Sequence, residues 1–393
     1  LFGNVDSVRQ RSSQGVVVDQ TETLLYNDQQ QLCMVKRNDV GNRYIERNAL
    51  GEVTWQAQGV SGTSCSAHGA TSAQKVSFIY DNHGDKRSIS YGDGSATRTF
   101  GRDNNGNVTS ISGGGFSQSY VYNSLNQLDQ ENLTIDGRPG ILSLAYAYTP
   151  LGALTALTYP DGSAKVDFAT NGFGQATQAK RGGDVFADNA QYYPSGSIDT
   201  FTYGNGVVHK THLNSRLLPA QITDQYRSVD RLNLSYTYDY NNNIKSLTNA
   251  RGAGKYSLTD LGYDGLDRLT TTTGGSAIGS SRLTYDGLGN IRTYSNTSSA
   301  DAHNLSYSYT NNRLSRVAGT GSTGYAFNRA DSYDNRGNTT HNGKRSFSYN
   351  LANQMTESGD NRYVYDGYNR RIKTTDSKGT SYSMYSQSGQ LLY

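Results

Sequence analysis

A seven-residue phrase recurs along the whole chain and constrains its fold more than any other feature. The phrase has Tyr, then Asp or Asn, two variable residues, Gly or Asn, a polar residue and an aliphatic one. Clear copies begin at Tyr122, Tyr238, Tyr263, Tyr285, Tyr333, Tyr349 and Tyr365, and looser copies at Tyr26, Tyr80, Tyr148 and Tyr193. From Tyr238 onward, counting a copy at Tyr309, successive starts lie 25, 22, 24, 24, 16 and 16 residues apart. This short period predicts one β-hairpin per unit.

The residues before each phrase alternate as in a strand, for example Leu234-x-Tyr236-x-Tyr238. Side chains two apart lie on one face of a strand, so each phrase is predicted to follow a half-buried strand. The phrase itself is predicted to be a turn, because Asp or Asn can bind the backbone two residues on and Gly or Asn tolerates a positive φ. The Asp and Gly residues of the clear copies with this role are Asp239, Asp264, Asp286, Gly289, Asp334, Gly337 and Asp366.

The composition agrees with an ordered all-β chain. The 393 residues include 31 Tyr, 10 Phe and 44 Gly but only 5 Pro, which favours Tyr-rich strands joined by glycine turns over disorder. We find no helical periodicity and no linker, so residues 1–393 are predicted to form a single continuous array. The net charge of +3 is spread along the chain, which argues against a nucleic-acid partner. No stretch reaches the roughly 18 consecutive apolar residues of a membrane helix.

About 30 strands at roughly 4.8 Å spacing would make a ribbon of about 150 Å, or one circuit of roughly 50 Å diameter. Such a sheet is too wide for its own side chains to fill, so it should curl around something or leave an interior space. One circuit would also leave exposed edges, and we expect these to favour self-association.

The phrase Tyr-Asp-x-x-Gly-Arg/Asn-Leu/Ile resembles the YD repeat of the bacterial Rhs family, whose relatives include Tc toxin C subunits, wall-associated proteins and teneurins. The resemblance covers the chain and is clearest in residues 236–393. It implies a β-ribbon spiralling into part of a hollow shell, or β-cocoon. In toxin members the shell encloses a C-terminal toxin domain, and a downstream segment with Asp-Pro-x-Gly elements cleaves the chain. None of the five prolines here follows an Asp, and the chain begins at Leu1 inside a repeat, so we expect a fragment of a longer protein.

Two functions remain open at this point. The first is a non-enzymatic shell of a secreted bacterial toxin, whose partners would be the enclosed C-terminal toxin domain, delivery-system proteins or a second copy. The second is a cell-surface adhesion or carbohydrate-binding module like the teneurin or wall-associated relatives, with glycans as partners. The tyrosine rows could stack on sugars, but their presence in every repeat favours ladders along the sheet. No catalytic residue and no cofactor is predicted.

The remaining candidate sites are small clusters. Cys33 and Cys65 could form a disulfide, which similar elements of exported Rhs proteins favour, or remain two separate structural cysteines. Cys65 with His68, and His209 with His212, have a spacing that a metal could use, but neither pair has two further ligands nearby in sequence. The Asp103 and Asp239 loops resemble calcium loops but lack the Gly and Glu positions of an EF-hand. Turn chemistry is the preferred interpretation of both loops.

Overall fold

The computed structural model describes residues 3–12, 19–160, 162, 164–252, 254–298, 300, 302–321, 327–328 and 332–393. Within these ranges the chain is built from strands, with one single-turn 3-10 helix at Ser72–Gln74. No helix in this part of the chain is long and apolar enough to cross a membrane. The all-β prediction is confirmed.

The strands are short and follow one another at nearly regular intervals. In chain order they are β1 (Ser7–Arg11), β2 (Asp19–Tyr26), β3 (Leu32–Lys36), β4 (Asn42–Arg47), β5 (Val53–Val60), β6 (Lys75–Tyr80), β7 (Lys86–Tyr91), β8 (Arg98–Arg102), β9 (Val108–Gly113), β10 (Phe116–Tyr122), β11 (Leu128–Ile135), β12 (Leu142–Tyr148), β13 (Leu154–Thr158), β14 (Lys165–Thr170), β15 (Ala176–Arg181), β16 (Asp184–Tyr192), β17 (Ile198–Tyr203), β18 (Val208–Leu213), β19 (Pro219–Tyr226), β20 (Val229–Tyr238), β21 (Ile244–Asn249), β22 (Leu258–Tyr263), β23 (Leu269–Gly274), β24 (Ser281–Tyr285), β25 (Ile291–Asn296), β26 (His303–Thr310), β27 (Arg313–Thr320), β28 (Phe327–Asn328), β29 (Phe347–Tyr349), β30 (Met355–Ser358), β31 (Asn361–Tyr365), β32 (Arg371–Asp376) and β33 (Gly379–Tyr382).

Each strand pairs antiparallel with its neighbours in sequence, so the sheet is a continuous meander. The first sheet has 28 strands, β1 to β28, and the second has five, β29 to β33. The phrases at Tyr333 and Tyr349 continue across the break between the sheets. That all 393 residues form one domain therefore stays a prediction.

The connections at the two ends of the strands differ in sequence. After each even-numbered strand from β2 to β24, the chain reverses through the next five residues, which are mostly the Asp or Asn turn of the repeat. We call the side of the ribbon formed by these turns the turn rim. The connections after the odd-numbered strands vary in length and sequence and form the opposite edge, the loop rim. The alternation is fixed by the meander, because successive strands run in opposite directions.

The ribbon curls until it meets itself. The loop-rim residue Asp39 contacts Asn312 and Arg313, and Gln58 donates to the carbonyl of Arg336, 278 residues away. Other contacts join residues 237 to 271 apart. From the start of β4 to the start of β27 is 23 strands, so one circuit measures roughly 110 Å around and roughly 35 Å across. The circuit is therefore tighter than the predicted 50 Å, because fewer strands complete it.

We call β1–β23 the first coil and β24 to the C-terminus the second coil. Along the seam, the turn rim of the second coil packs on the loop rim of the first. Towards the C-terminus the second sheet also covers a face of β9–β13. There Ile372 and Met384 join a buried cluster with Ile111, Leu133 and Leu144.

The molecule exposes far more surface than a compact protein of its mass. Its accessible surface is 22327 Å², whereas a compact 42.8 kDa monomer would expose about 15,000 Å². Besides the seam cluster, the larger buried group is Cys33, Met34, Tyr44, Ala57 and Val60 on β3–β5. The excess surface indicates a thin curved wall, and the two larger buried clusters lie where a second layer covers it. A small third cluster pairs Leu305 with Val317 on β26–β27.

Candidate functional site

The repeated turn has the same geometry wherever the phrase is clear. At Asp264 the backbone N–H donates to the carbonyl of Arg268, and the N–H of Asp267 donates to the carbonyl of Asp264, both at 3.0 Å. The Asp264 carboxylate accepts the N–H groups of Leu266 and Arg268 at 3.0 Å. Asp267 has φ +57°. The turn residue thus satisfies the backbone donors that the reversal would otherwise leave free.

Other copies reproduce these contacts with small changes. Asp239, Asp286, Asp334 and Asp366 accept the same two backbone N–H groups, and Asn123 and Asn350 do so after Tyr122 and Tyr349. The position of positive φ is Gly289 at +85°, Gly337 at +88° or an Asn elsewhere.

Hydrogen bonds hold the turn carboxylates in their ionised form. Partial burial of Asp239 raises its pKa, but the side chain and backbone N–H of Asn243 and the N–H of Asn241 outweigh burial and lower it overall. At Asp103 the amide of Asn107 is the largest influence and likewise lowers the pKa of the carboxyl. The two loops that resemble calcium loops are therefore occupied by their own backbone donors.

The phrase tyrosines connect neighbouring hairpins. Tyr263 donates its hydroxyl to the carbonyl of Ile244 at 2.8 Å, and Ile244 opens the strand after the preceding turn. The hydroxyls of Tyr122, Tyr238, Tyr285, Tyr309, Tyr333 and Tyr365 bind the corresponding carbonyl of the preceding hairpin at 2.7 to 3.2 Å. Tyr349 holds the same register, opposite Met355. Burial raises the pKa of Tyr263 and Tyr349.

Several copies of the turn were missed by sequence reasoning. Asn48, Asn171 and Asn214 make the same backbone contacts although Arg, Thr and Leu precede them. A search for Asp or Asn alone, with a residue suited to positive φ three positions later, would have found Asn48 and Asn171. It would still miss Asn214, because Leu217 holds the position of positive φ there.

Two repeat positions need correction. At the looser copy assigned to Tyr193, the tyrosine that ends the strand is Tyr192, and Tyr193 itself is the turn residue whose N–H binds the carbonyl of Ser197. After Tyr309 the chain reverses within two residues, Asn311 and Asn312, at φ +49° and +58°. Positive φ at both central residues belongs to a tight type I′ hairpin rather than to the longer turn.

Hydrogen bonds join the two coils along the seam. The N–H of Gly367 donates to the Gln118 side chain at 3.0 Å, and Arg98 donates to the carbonyl of Gly367 at 3.0 Å. The N–H of Leu351 donates to Asp93 at 2.7 Å. The second coil therefore binds the first through backbone groups of its turn tips.

A buried carboxyl lies beside the seam. Glu131 on β11 is 1% exposed, and its side chain accepts the hydroxyl of Tyr146 and the backbone N–H of Gln387 in the second coil. Burial raises the pKa of Glu131, and these hydrogen bonds with the charge of Arg370 offset only part of that effect. Glu131 thus links β12 to the C-terminal segment in a site where its proton is held more tightly than in water.

The two cysteines are joined. Cys33 on β3 and Cys65 in the loop after β5 form a disulfide with Cα atoms 5.7 Å apart, closing a separation of 32 residues. His68 in the same loop packs its ring 4.3 Å from that of Tyr44 and 5.3 Å from that of Trp55. The loop therefore forms a second layer over β3–β5.

His209 has an arrangement that resembles a catalytic group. Its Nδ1 lies 2.7 Å from the carboxylate of Asp224, and its Nε2 lies 3.1 Å from the hydroxyl of Thr211. The phenyl ring of Phe201 packs at 4.8 Å. All lie on an open strand face, where backbone N–H groups point along the sheet and cannot converge on a developing oxyanion. His212, which was paired with His209 in sequence, faces the other side.

Within the described ranges, no group of three or more His, Cys, Asp or Glu side chains is close enough to hold a metal ion.

Comparisons with known proteins agree on the fold. No family model matches the chain, and no curated protein sequence matches it. Among solved structures it is similar to the Tc holotoxin pore of Photorhabdus luminescens (TM-score 0.70, 14% identity, 96% of this chain and 23% of that chain). It is also similar to TcdB2–TccC3 without its hypervariable C-terminal region (TM-score 0.72, 14% identity, 96% and 23%) and to TcdB2–TccC3 (TM-score 0.71, 14% identity, 96% and 24%).

The chain spans about a quarter of the length of the chains it matches. At 14% identity the likeness concerns architecture, and it agrees with the repeat pattern found in the sequence. The predicted fold is therefore confirmed: this chain is a long antiparallel ribbon of repeated hairpins, with the fold of the part of the Tc toxin chains that it matches.

Proposed function

We propose that this chain is part of the wall of a non-enzymatic shell that keeps a C-terminal toxin domain enclosed before delivery, in a secreted protein of the Rhs type. The observation that carries the proposal is the surface excess of roughly 7,000 Å² over a compact protein of equal mass. A wall one sheet thick exposes both faces, as a container must. The shared fold with Tc toxin chains supports the same function.

The wall is also built to stay closed. Turn residues satisfy their own backbone, tyrosine hydroxyls bind adjacent hairpins, and the seam joins consecutive coils. Backbone groups that are paired in this way along the wall offer few sites for proteolysis or for pairing with other strands. These are useful properties for a protein that must cross an extracellular space with an enclosed cargo.

The test uses the natural gene product purified whole. Native and denaturing mass spectrometry, before and after limited proteolysis, would show whether a separate polypeptide stays enclosed. We expect a cleaved C-terminal chain that co-purifies under native conditions, resists protease and is released on denaturation. An uncut chain without a protected domain would overturn the proposal.

The second candidate is a surface module that binds glycans through its aromatic rows. The hydroxyl bonds of the phrase tyrosines argue against it, because those groups are already committed to the neighbouring hairpins. A glycan array probed with the purified chain would separate the two functions. Saturable binding that Tyr240→Ser reduces would favour the surface module, since Tyr240 is fully exposed at a turn tip.

A further inference from the structure

The loop after β5, residues 61–74, is held over β3–β5 mainly by one covalent bond. We call this loop the lid. Every residue of the lid is described, and Gly62 is the only buried one among them. The lid packs on the strands chiefly through the ring of His68, which lies against aromatic rings of β4 and β5. A segment with so few buried contacts opens locally at low cost. The Cys33–Cys65 bond is therefore the main restraint on the lid.

The two cysteines of this bond differ in exposure. Cys33 on β3 is 3% exposed, whereas Cys65 in the lid is half-buried. Both border an open cavity of about 600 Å³, which Tyr26 and Arg47 also line. Exposure decides which sulfur an incoming thiolate can attack, because the attacking sulfur needs access to the bond. The Cys65 side of the bond is therefore the side open to attack.

Both ends of the lid are bonded to the part of the first coil that lies under the seam. The Asn42 side chain donates to the carbonyl of Gly62 at 2.9 Å, and the Gln74 side chain donates to the carbonyl of Gly59 at 3.2 Å. Asn42 opens β4 directly after Gly41. One end of the lid thus holds Gly59, and the other holds the neighbour of Gly41.

Gly41 and Gly59 form the surface on which Asn335 of the second coil rests. Their φ angles are +70° and +73°, and a Cβ on them would lie 2.4 and 2.8 Å from the carbonyl oxygen of Asn335. Beside Gly59, Gln58 donates to the carbonyl of Arg336 at 3.4 Å. The two coils therefore meet here backbone to backbone, and a small displacement of either glycine breaks the contact.

We propose that the Cys33–Cys65 bond is a thiol-sensitive site that controls this part of the seam. Reduction frees the lid, and the loss of the contacts at its two ends loosens the turn at Asn335 from β4 and β5. The bond persists in an oxidising extracellular medium and is reduced where small thiols are abundant, as in a cytosol. The seam is thus tighter outside a cell than inside one. The proposal concerns the seam alone and does not depend on what the wall encloses.

The reductant is a small monothiol of the glutathione class, and two molecules are consumed. The first thiolate attacks the sulfur of Cys65 and forms a mixed disulfide, while Cys33 leaves as a thiolate and takes up a proton. The second thiolate attacks the sulfur of the small thiol, so that Cys65 leaves and is protonated in turn. The protein bond gains two electrons, and the two small thiols become one disulfide.

The test compares the purified protein before and after incubation with millimolar glutathione. Hydrogen exchange across residues 61–74 reports on the lid, and the rate of trypsin cleavage after Arg336 reports on the seam, because the Arg336 carbonyl is bound to β5 while the seam is closed. We expect faster exchange in the lid and cleavage after Arg336 that is about tenfold faster or more, since proteolysis follows the population of the open form. Cleavage after Arg268, in a repeat turn far along the chain from the lid, should not change.

Two variants separate the bond from the contacts that it maintains. Cys33→Ser with Cys65→Ser should be cut after Arg336 at the fast rate whether or not glutathione is present. Gln74→Ala keeps the disulfide but removes the lid contact with Gly59, so it should speed the cut in the oxidised protein. Should the cysteine variant fail to fold, the glutathione series on the unmodified protein decides alone.

Three results would each overturn the proposal. The first is a disulfide that millimolar glutathione leaves intact in the folded protein. The second is faster exchange in the lid with no change in cleavage after Arg336, which would leave the lid uncoupled from the seam. The third is an equal acceleration after Arg336 and Arg268, which would mean that reduction loosens the whole ribbon rather than this contact.

Discussion

The overlapped and single-layered regions of this ribbon share one repeat but are stabilised in different ways. Where the second coil covers β9–β13, Leu133, Leu142 and Leu144 are 0 to 1% exposed. Between Pro160 and Leu305 no described aliphatic, Phe, Tyr or Trp side chain is buried. That stretch depends on ladder hydrogen bonds, turn capping and hydroxyl pairs such as Thr284 with Thr293 at 2.6 Å. The repeat is therefore sufficient to form the sheet, whereas the larger hydrophobic core forms where the second coil packs on the first.

The largest difference in unfolding free energy between the two regions should come from replacing leucines at equivalent positions of the repeat. Leu144 and Leu234 both stand two residues before the penultimate tyrosine of their strands, but only Leu144 is fully buried. Leu144→Ala should lower the free energy of unfolding by about 2–5 kcal/mol, because it leaves a cavity in a packed cluster. Leu234→Ala should cost about 1 kcal/mol. Denaturant unfolding compares the two, and equal losses would contradict the distinction between the regions.

Removing the disulfide tests the region in which the loop after β5 covers β3–β5. Cys33→Ser with Cys65→Ser should cost about 3–4 kcal/mol, because the bond closes a loop of 32 residues in the unfolded chain. The effect should appear as proteolysis in residues 61–74 before any other site is cut. Mass spectrometry of the first fragments measures this, and initial cleavage in β14–β25 would be the contrary result.

A glycine pair tests the seam directly. Gly367 and Gly265 follow the turn Asp in their own repeats, but a Cβ at Gly367 would lie 2.5 Å from Ile111 and one at Gly265 would meet nothing within 4 Å. Gly367→Ala should cost about 1–3 kcal/mol through overpacking. Gly265→Ala should be neutral or stabilise slightly. Thermal unfolding distinguishes them, and similar shifts for both would argue against a tight seam.

Loss of a tyrosine hydroxyl should have a smaller effect. Tyr263→Phe removes one hydrogen bond to the carbonyl of Ile244 and should cost about 0.5–1.5 kcal/mol. Tyr122→Phe should cost more, because its hydroxyl binds Val108 at 3.2 Å and also accepts the side chain of Gln387 across the overlap at 2.9 Å. Denaturant midpoints of the two variants measure the difference.

The smallest expected difference between the overlapped and the single-layered region is in how the unfolding free energy depends on pH. Because the folded-state pKa of Glu131 is raised, the folded chain holds this proton more tightly than the unfolded chain, and stability contributed by the protonated form declines as pH rises above about 4.5. Asp239, whose pKa is lowered, acts oppositely and loses its contribution as pH falls below about 4. Glu131→Gln should flatten the fall in unfolding free energy as the pH rises above about 4.5, and an unchanged slope there would contradict this.

Sequence reasoning found the parts of the fold that are local. The turn at Tyr263 and Asp264 could be predicted because its hydrogen bonds lie within five residues. The turns at Asn48, Asn171 and Asn214 escaped because the search required a tyrosine that the turn itself does not need. The size of the circuit was overestimated, since the curl of each hairpin leaves no mark in the pattern.

The sequence by itself determined the strands, their spacing, the alternation of the two rims and the role of the Asp and Asn turns. These depend on backbone preferences and contacts between neighbours in the chain. Only the tertiary structure decided that residues some 240 to 280 apart meet, that Leu144 and Glu131 are buried, and that turns of the second coil pack on the first. Those outcomes depend on curvature summed over about 23 strands, which no short stretch of sequence contains.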